Sequence, residues 1–547
     1  MRLSRWLLVG ALSLGVLTLA PVSSHRAPAE AAADNRPNIV VVMMDDMRWD
    51  EMRFAPNARR YIASRGVSFA NSFSPLPLCC PARASFLLGQ YAHNHGVLHV
   101  KAPYGFGSIN DSRTVATALH GAGYNTGMIG KYLNGYGRQR SKVTHRASML
   151  YKPAGWTDWA GSLETAWPRK SRYSGNTYNY KSFTQNINRR VVMHRGQYSS
   201  DVIGTQAVNL VGKYHRSRRP FFLWLTPVAP HEGGPWEKRD PRDYRKRNGY
   251  VQKFPTPYTP PWVRGKLNRY VTHAPGTPLH HRAEPDISDK PRYYRKYLEN
   301  TSSERGRLRE VERQRAEAIY AWDRQFGKLV AKLRSTGEYG RTVLMFTSDN
   351  GFYLGEHRHP TGKLEPHEVS VRVPLVVAGP RIKHAVRYAP AMTQDLTSTI
   401  IDLANARPLR AMDGQSLLPQ LTGADKPWTR PVIIEALIRG LRRTSKGFPP
   451  RITEFGIRTG RYKYVRYSQG TEELYDLARD PNELTGRQRD PSYAGIKRQL
   501  VVQWQRYLGC RAARCNAPLP PELQQNVPTM RAQNSFAWAA KARYYDR

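Results

Sequence analysis

The sequence predicts an α/β protein built on a large, mostly parallel sheet, followed by a smaller α+β region with antiparallel strands. Three observations carry this expectation. Short apolar runs alternate with longer helical patterns through most of the chain. Four of those runs finish on polar residues of chemically useful types. Near residue 425 the texture changes to closely spaced, strand-like segments ahead of one helix.

Taken in order, "NIVVVMM" leads into Asp45-Asp46, "NTGMIG" into Lys131, "PFFLWLTPVAP" into His231, and "RTVLMFTS" into Asp349-Asn350. Ligands of open α/β sheets bind beyond the carboxyl ends of the strands, so this shared placement marks a candidate site. Glu304 to Arg334 reads as a long amphipathic packing helix, with Ile319, Trp322, Phe326 and Leu329 on one face. "MTQDLTSTIIDLANA" reads as another helix. "PVIIEAL", "EFGIRTGRYKYVRY" and "EELYDL" then read as antiparallel strands, and "IKRQLVVQWQRYL" as the helix that covers them. The expected organisation is a leader over 1–31, a main domain over 37–425, an α+β subdomain over 426–516 and an irregular tail over 517–547.

The leader has the marks of a secretory signal peptide. Arg2 and Arg5 precede the apolar run "WLLVGALSLGVLTLA", and Ala29-Glu30-Ala31 forms a small-x-small cleavage site. No later stretch is apolar enough to span a bilayer, which predicts an exported protein without a membrane span. Export permits disulfides, and Cys510 with Cys515 in "LGCRAARCNAP" is the expected pair. Cys79 and Cys80 are adjacent and cannot easily bridge each other.

The formal net charge is +43, from 85 Lys plus Arg against 42 Asp plus Glu. Such an excess repels itself and makes polyanions natural partners. The basic residues are dispersed over loops such as "EKRDPRDYRKRNGY", "DKPRYYRKY" and "GLRRTSKG", a distribution that an arginine-rich coding bias also produces. Zinc-finger spacing and RNA-binding signatures are missing, so nucleic acid is not an expected partner.

The acidic pairs Asp45-Asp46 and Asp349-Asn350 supply hard oxygen ligands, which suit one Ca²⁺ or Mg²⁺ ion. Ca²⁺ is preferred, because an all-protein oxygen cage fits its larger coordination shell. If a helix begins near Cys79, its dipole favours negative charge on that side chain, and Arg83 lies one turn along the same face. That arrangement suits a nucleophile, although free cysteine also packs well in cores, and position alone leaves both readings open.

The run Cys79-Cys80-Pro81-Ala82-Arg83, continuing "ASFLLGQY", resembles the signature of the type I sulfatases, Cys-x-Pro-Ser/Ala-Arg. In that family the first cysteine is converted to formylglycine. "PNIVVVMMDD", "GYNTGMIGKYLNGY", "TPVAPH", "FTSDNGFYLGEHR", "VRVPLVVAGP" and "GIRTGRYKYVRY" follow in the family's order, so the resemblance covers nearly all of the mature chain. "GKYLNGYG" and "PAGWTDWAG" look most like the branch of N-acetylglucosamine-6-sulfatases, extracellular heparan sulfate sulfatases and bacterial arylsulfatase-like enzymes.

The resemblance implies an alkaline-phosphatase-like fold and a secreted enzyme that hydrolyses sulfate esters. The implied substrates are sulfated sugars or glycosaminoglycans such as N-acetylglucosamine-6-sulfate. One hydroxyl of the hydrated aldehyde would attack sulfur, and deprotonation of the other would expel sulfate. Asp45, Asp46, Asp349 and Asn350 would bind the metal, with the modified Cys79 as nucleophile and further metal contact. Arg83 would hold the formylglycine, Lys131 and Lys363 the sulfate oxygens, and His231 the departing ester oxygen. Maturation would require a formylglycine-generating enzyme. One departure stands out: many sulfatases have Lys-x-His where this chain has Lys131-Tyr132-Leu133. That leaves the base for the release step open, with His357 as first candidate for that role or for substrate binding, ahead of Asn134 and His359. Two rival readings keep the scaffold. One moves the chemistry to phosphate mono- or diesters or phosphonates, and the other makes the chain a non-catalytic polyanion-binding protein.

Overall fold

The computed structural model describes residues 34–164, 175–217, 219–280, 283–436 and 454–545. The leader over 1–31 and the basic loop "GLRRTSKG" lie outside the described residues. From Arg36 onward the chain forms one compact unit, so the change of texture near residue 425 marks a second sheet rather than a break in the molecule.

The main sheet has ten strands: β1 (Asn38–Met44), β2 (Val67–Phe69), β3 (Asn125–Lys131), β4 (Asp158–Ser162), β5 (Ser182–Ile187), β6 (Arg190–Arg195), β7 (Phe221–Thr226), β8 (Thr342–Ser348), β9 (Leu375–Ala378) and β10 (Ala385–Arg387). Their spatial order is β10-β2-β9-β8-β1-β7-β3-β4-β5-β6. The middle five, β8-β1-β7-β3-β4, are mutually parallel. Antiparallel pairing enters on both sides, through β9 against β8 and through β5 against β4. Every residue of β1 is buried, as expected of a central strand covered on both faces.

Alternation along β1 divides the core. Ile39, Val41 and Met43 face one layer, with helices α1 (Cys79–Leu88), α2 (Val115–Gly121) and α5 (Thr393–Leu403). Val40, Val42 and Met44 face the other, with α3 (Ser199–His215) and α4 (Ser302–Ser335). The long helix read over Glu304 to Arg334 is α4. It opens on a capping box in which Thr301 and Glu304 satisfy each other's backbone amides, and it buries Ile319, Trp322, Phe326 and Leu329.

The C-terminal sheet, β11 (Val432–Ala436), β12 (Glu454–Arg458), β13 (Tyr462–Tyr467) and β14 (Glu472–Asp476), is antiparallel throughout. Helix α6 (Ala494–Tyr507) packs on it, with Trp504 donating to the Phe455 carbonyl at 2.7 Å. Its core also takes in Phe73, Tyr91 and Met392 from the first part of the chain, which ties the two sheets together. Cys510 and Cys515 form a disulfide across a short loop.

The tail departs from expectation. Residues 517–547 were expected to be irregular, yet Val527–Tyr545 is a helix, α7. Only Met530 and Tyr545 of it are buried, so no apolar stripe marks it in the sequence. It is held by single contacts: Trp538 sits edge-on to Trp49 with ring centroids 4.5 Å apart, and Lys541 pairs with Asp50.

Candidate active site

The parallel register builds the site. Met44 of β1 is level with Ser348 of β8, so Asp45-Asp46 and Asp349-Asn350 leave adjacent strands side by side. Two strands away, Gly130 of β3 is level with Thr226 of β7, and Lys131 follows it. Asp46 takes a left-handed backbone (φ 66°), which is costly for a non-glycine residue. The turn is held from three sides. The Asp46 amide donates to Asp349 Oδ1 at 3.0 Å, the Asp45 amide to the Ala229 carbonyl at 3.1 Å, and Arg315 of α4 to the Asp46 carbonyl at 2.6 Å.

Helix α1 begins at Cys79 and is buried along its whole length. Pro81 suits the first turn, where no intrahelical N–H is needed, and Gly89 ends the helix in the left-handed region (φ 67°). Arg83, one turn in, is fully buried. Its Nε donates to Asp349 Oδ2 at 2.8 Å, one terminal nitrogen donates to the Lys131 carbonyl at 2.7 Å, and the other lies 3.7 Å from Asp45 Oδ2.

Lys131 Nζ donates to Asp45 Oδ2 at 2.6 Å. Lys363 pairs with Asp46 and places its Nζ 2.9 Å from Cys79 Sγ. His231 Nε2 lies 3.6 Å from Asp46 Oδ2, while its Nδ1 donates to the Glu232 carbonyl at 2.8 Å. One ligand atom from each of Asp45, Asp46, Cys79 and His231 falls within a common 4.8 Å.

The charges follow from this packing. Burial pushes the Asp45 carboxyl up, but Lys131, His231 and Arg83 outweigh it and hold the group at about 2. Burial likewise raises Asp46, and Lys363 and His231 bring it below the ordinary range. Burial lowers His231, but Asp46 and Asp45 lift it to about 9. Lys131 and Lys363 are shifted upward because carboxylates outweigh their desolvation. Both lysines therefore stay charged.

The donor set fits a hard divalent cation. Asp45 Oδ1 and Asn350 Oδ1 are buried and, among the described residues, take no hydrogen bond. Buried oxygen acceptors of that kind are costly unless they meet a cation or a donor. Above the group opens a cleft of about 440 Å³, whose walls include Asp46, His231, Lys363, Tyr250, Lys253 and Thr361.

The structure thus brings together Asp45, Asp46, Cys79, Arg83, Lys131, His231, Asp349, Asn350 and Lys363. It does not bring His357 to them. That side chain is buried, its Nδ1 is 2.6 Å from Glu284 Oε2, its ring centroid lies 4.3 Å from that of His367, and it is not among the cleft-lining residues. Its Nδ1 is committed to a buried ion pair with Glu284, and among the described residues no hydrogen bond or ion pair joins it to the groups around Cys79. Cys80 is also buried, its sulfur 3.9 Å from the Asn134 carbonyl, and desolvation raises its thiol pKa, so it stays protonated.

Sequence reasoning missed two supports. Arg315 lies within the predicted packing helix on the same face as Ile319, Trp322 and Phe326, and a charge inside an apolar stripe is a detectable signal. Tyr178 gave no signal. Its ring packs between Lys131 Nζ, 4.9 Å from the centroid, and the His231 ring at 4.7 Å. Its hydroxyl accepts from Asn134 at 2.6 Å, and Asn134 also donates to Glu164 at 2.7 Å.

Converging strand-end carboxylates, a helix-N-terminal cysteine and two lysines on a mostly parallel sheet define a hydrolase of the alkaline-phosphatase-like class. Residues 37–406 match the family model described as Sulfatase, and residues 355–508 match that described as N-sulphoglucosamine sulphohydrolase, C-terminal. The chain belongs to the sulfatase family. It is 30% identical to an arylsulfatase of Volvox carteri over 71% of this chain and 59% of that protein, so it spans under two thirds of that relative. It is 28% identical to the N-acetylglucosamine-6-sulfatase of Homo sapiens over 89% of this chain and 87% of that protein. Among solved structures it is similar to a protein captured in complex with its substrate D-glucosamine-2-N,6-O-disulfate. That match has a TM-score of 0.62 and 22% identity, and covers 86% of this chain and 97% of the other. At that identity the likeness speaks for the fold.

Proposed function

We propose that this chain is a secreted sulfatase that hydrolyses sulfate esters of sugars, with the residue made from Cys79 as its nucleophile. The observation that carries the reading is the position of Cys79. It opens a buried helix, its sulfur accepts from Lys363, and Asp45, Asp46 and His231 surround it. Cys79 Sγ stands in for an oxygen of the hydrated formylglycine, which would supply an attacking hydroxyl and a second one for release. Asp45, Asp46, Asp349 and Asn350 would hold a divalent ion, Ca²⁺ ahead of Mg²⁺, which would neutralise sulfate charge and acidify the attacking group.

The remaining roles fall to this chain's own side chains. Lys131 and Lys363, both charged, would bind the anionic sulfate oxygens. Arg83 fixes Asp349 and the Lys131 backbone, so helix α1 and the strand ends keep one geometry. His231, protonated on Nε2 and held through Nδ1, would donate to the departing ester oxygen. The length of the match to N-acetylglucosamine-6-sulfatases and the open, basic cleft support an anionic sugar as substrate.

The test joins two measurements on protein made in a host that produces formylglycine. Mass spectrometry of the peptide carrying Cys79 should show the sulfur replaced by an aldehyde or its hydrate. The same preparation should turn over sulfate esters with higher kcat/KM than matched phosphate esters. Two intact thiols in protein from the native source, or a preference for phosphate, would overturn the reading.

A further inference from the structure

The cleft wall continues into a hairpin whose outer face is cationic. Tyr244–Arg245 pairs antiparallel with Val251–Gln252, with Arg245 opposite Val251 and Tyr244 opposite Gln252. The turn closes through the Lys246 amide on the Tyr250 carbonyl at 2.8 Å and the Gly249 amide on the Lys246 carbonyl at 2.9 Å. Side chains alternate across it. Lys246 and Gln252 are buried, whereas Arg245, Arg247, Val251 and Lys253 are exposed.

The inward side anchors the element. Lys246 Nζ pairs with Glu304 at 2.9 Å and donates to the Leu298 carbonyl at 2.7 Å, beside the start of α4. Arg307 of α4 donates to the Arg242 carbonyl at 2.5 Å. The outward cations therefore stand on a fixed backbone, which lowers the ordering cost of binding. Val251 and Lys253 also line the cleft beside His231 and Lys363, so Arg245 lies about one strand spacing, ~4.8 Å, from the cleft wall.

Arg242, Arg245, Arg247 and Lys253 have no carboxylate partner among the described residues, and the exposed acids nearby are Asp243 and Glu232. Neighbouring inward cations are paired instead: Arg239 meets Glu317 at 2.7 Å. One exposed charge contributes little by itself. A row of guanidinium groups beside an anion-processing cleft matches a ligand with repeated anionic groups, because each fork can grip two oxygens and each contact releases bound counterions.

Resting on the sulfatase reading of the cleft but extending beyond it, we propose that this hairpin is a second binding surface for a linear sulfated polysaccharide. The polymer leaves the cleft past Val251 and Lys253 and crosses Arg245, Arg247 and Arg242. The enzyme thus engages a polymer over several residues while one sulfate occupies the cleft.

The test measures binding of a heparin decasaccharide, a heparin disaccharide and a DNA duplex of similar charge to protein with unmodified Cys79, over a series of NaCl concentrations. The variants are R242S/R245S/R247S and R242K/R245K/R247K, with Lys253 kept because it lines the cleft. The serine triple should lose at least tenfold in decasaccharide affinity and about two in the slope of log Kd against log salt. The lysine triple should stay within threefold of the parent, and the disaccharide should be unaffected. Turnover of a small aryl sulfate by the matured serine triple should also be unchanged. Decasaccharide affinity within twofold of the parent in the serine triple, an equal loss in the lysine triple, or equally tight hairpin-dependent DNA binding would overturn the proposal. The binding arm needs no turnover: if the sulfatase reading alone fails, hairpin-dependent binding persists without sulfate release. If this inference alone fails, sulfate is released while binding ignores the hairpin.

Discussion

Lys363 Nζ stands 2.9 Å from Cys79 Sγ while the same ammonium pairs with Asp46. One side chain thus joins the helix that carries the nucleophile to the strand end that carries the acidic ligands. Lys363 comes from a loop 284 residues further along the chain than Cys79. The contact gives a direct means of separating chemistry from stability.

Replacing Lys363 with methionine should lower kcat on a small aryl sulfate at least a hundredfold, about 2.7 kcal/mol of lost transition-state stabilisation. The far-ultraviolet circular dichroism should not change. A variant that keeps more than a tenth of parental kcat would reduce Lys363 to an ion-pair partner of Asp46.

Arg83 and Asp349 are both fully buried and 2.8 Å apart. Asp349→Ala leaves a guanidinium whose remaining carboxylate neighbour, Asp45, is 3.7 Å away. The expected cost is about 3–5 kcal/mol, seen as a lower urea midpoint with unchanged slope. A loss below about 1 kcal/mol would mean that Asp45 or water replaces the lost partner.

Chelation should act on stability as well as on turnover. With the ion removed, the oxygens of Asp45, Asp46, Asp349 and Asn350 keep only their protein partners, so the Tm should fall. Calcium at a hundred times its Kd should restore about 2.7 kcal/mol. The fall should disappear in Asp45→Asn/Asp46→Asn. Calorimetry with and without chelator decides this, and an unchanged Tm would count against the four-oxygen site.

A pH effect is expected at His93, which does not line the cleft. Burial lowers the His93 pKa, but Glu435 and the Cys510 carbonyl outweigh it and raise the group to about 9, against 6.5 for the free side chain. The folded state holds this proton more tightly than the unfolded state. The contribution is therefore complete below about pH 6.5 and is lost as pH rises through about 9. Stability should fall by on the order of 3 kcal/mol across that window, and His93→Gln should flatten this part of the profile. Equal slopes for parent and variant would sink the assignment.

Gly130 precedes Lys131 with φ 113°, and a Cβ there would lie 2.2 Å from the Thr226 carbonyl oxygen. Gly130→Ala should destabilise by about 3 kcal/mol or more and move Lys131 off Asp45. Denaturant titration together with sulfate affinity reads both consequences. A mild loss of stability with normal affinity would show that β3 and β7 can part without disturbing the site.

The four strand-end positions were legible because apolar runs buried on both faces are easy to see, and the polar residue that ends each run is conspicuous. Helix α1 was legible through its motif, since Cys79 and Arg83 are one turn apart. Helix α7 was not, because a helix held by Trp538, Lys541 and Tyr545 needs no periodic stripe. The partner of His357 was not legible either, because Glu284, which meets it in the fold, stands 73 residues earlier in the chain.

By itself the sequence determined the local chemistry: which strands end in acids, where the nucleophile's helix begins, and which family's pattern the residues follow. These are properties of neighbouring residues, set by hydrophobic period and short-range geometry. Tertiary structure alone decided which distant groups meet. The parallel register aligns Met44 with Ser348, Arg315 reaches back to the Asp46 carbonyl, Tyr178 slips between Lys131 and His231, and one hairpin turns Arg245 toward solvent and Lys246 toward Glu304. Contacts across hundreds of residues depend on how whole layers pack, and no local pattern encodes that sum.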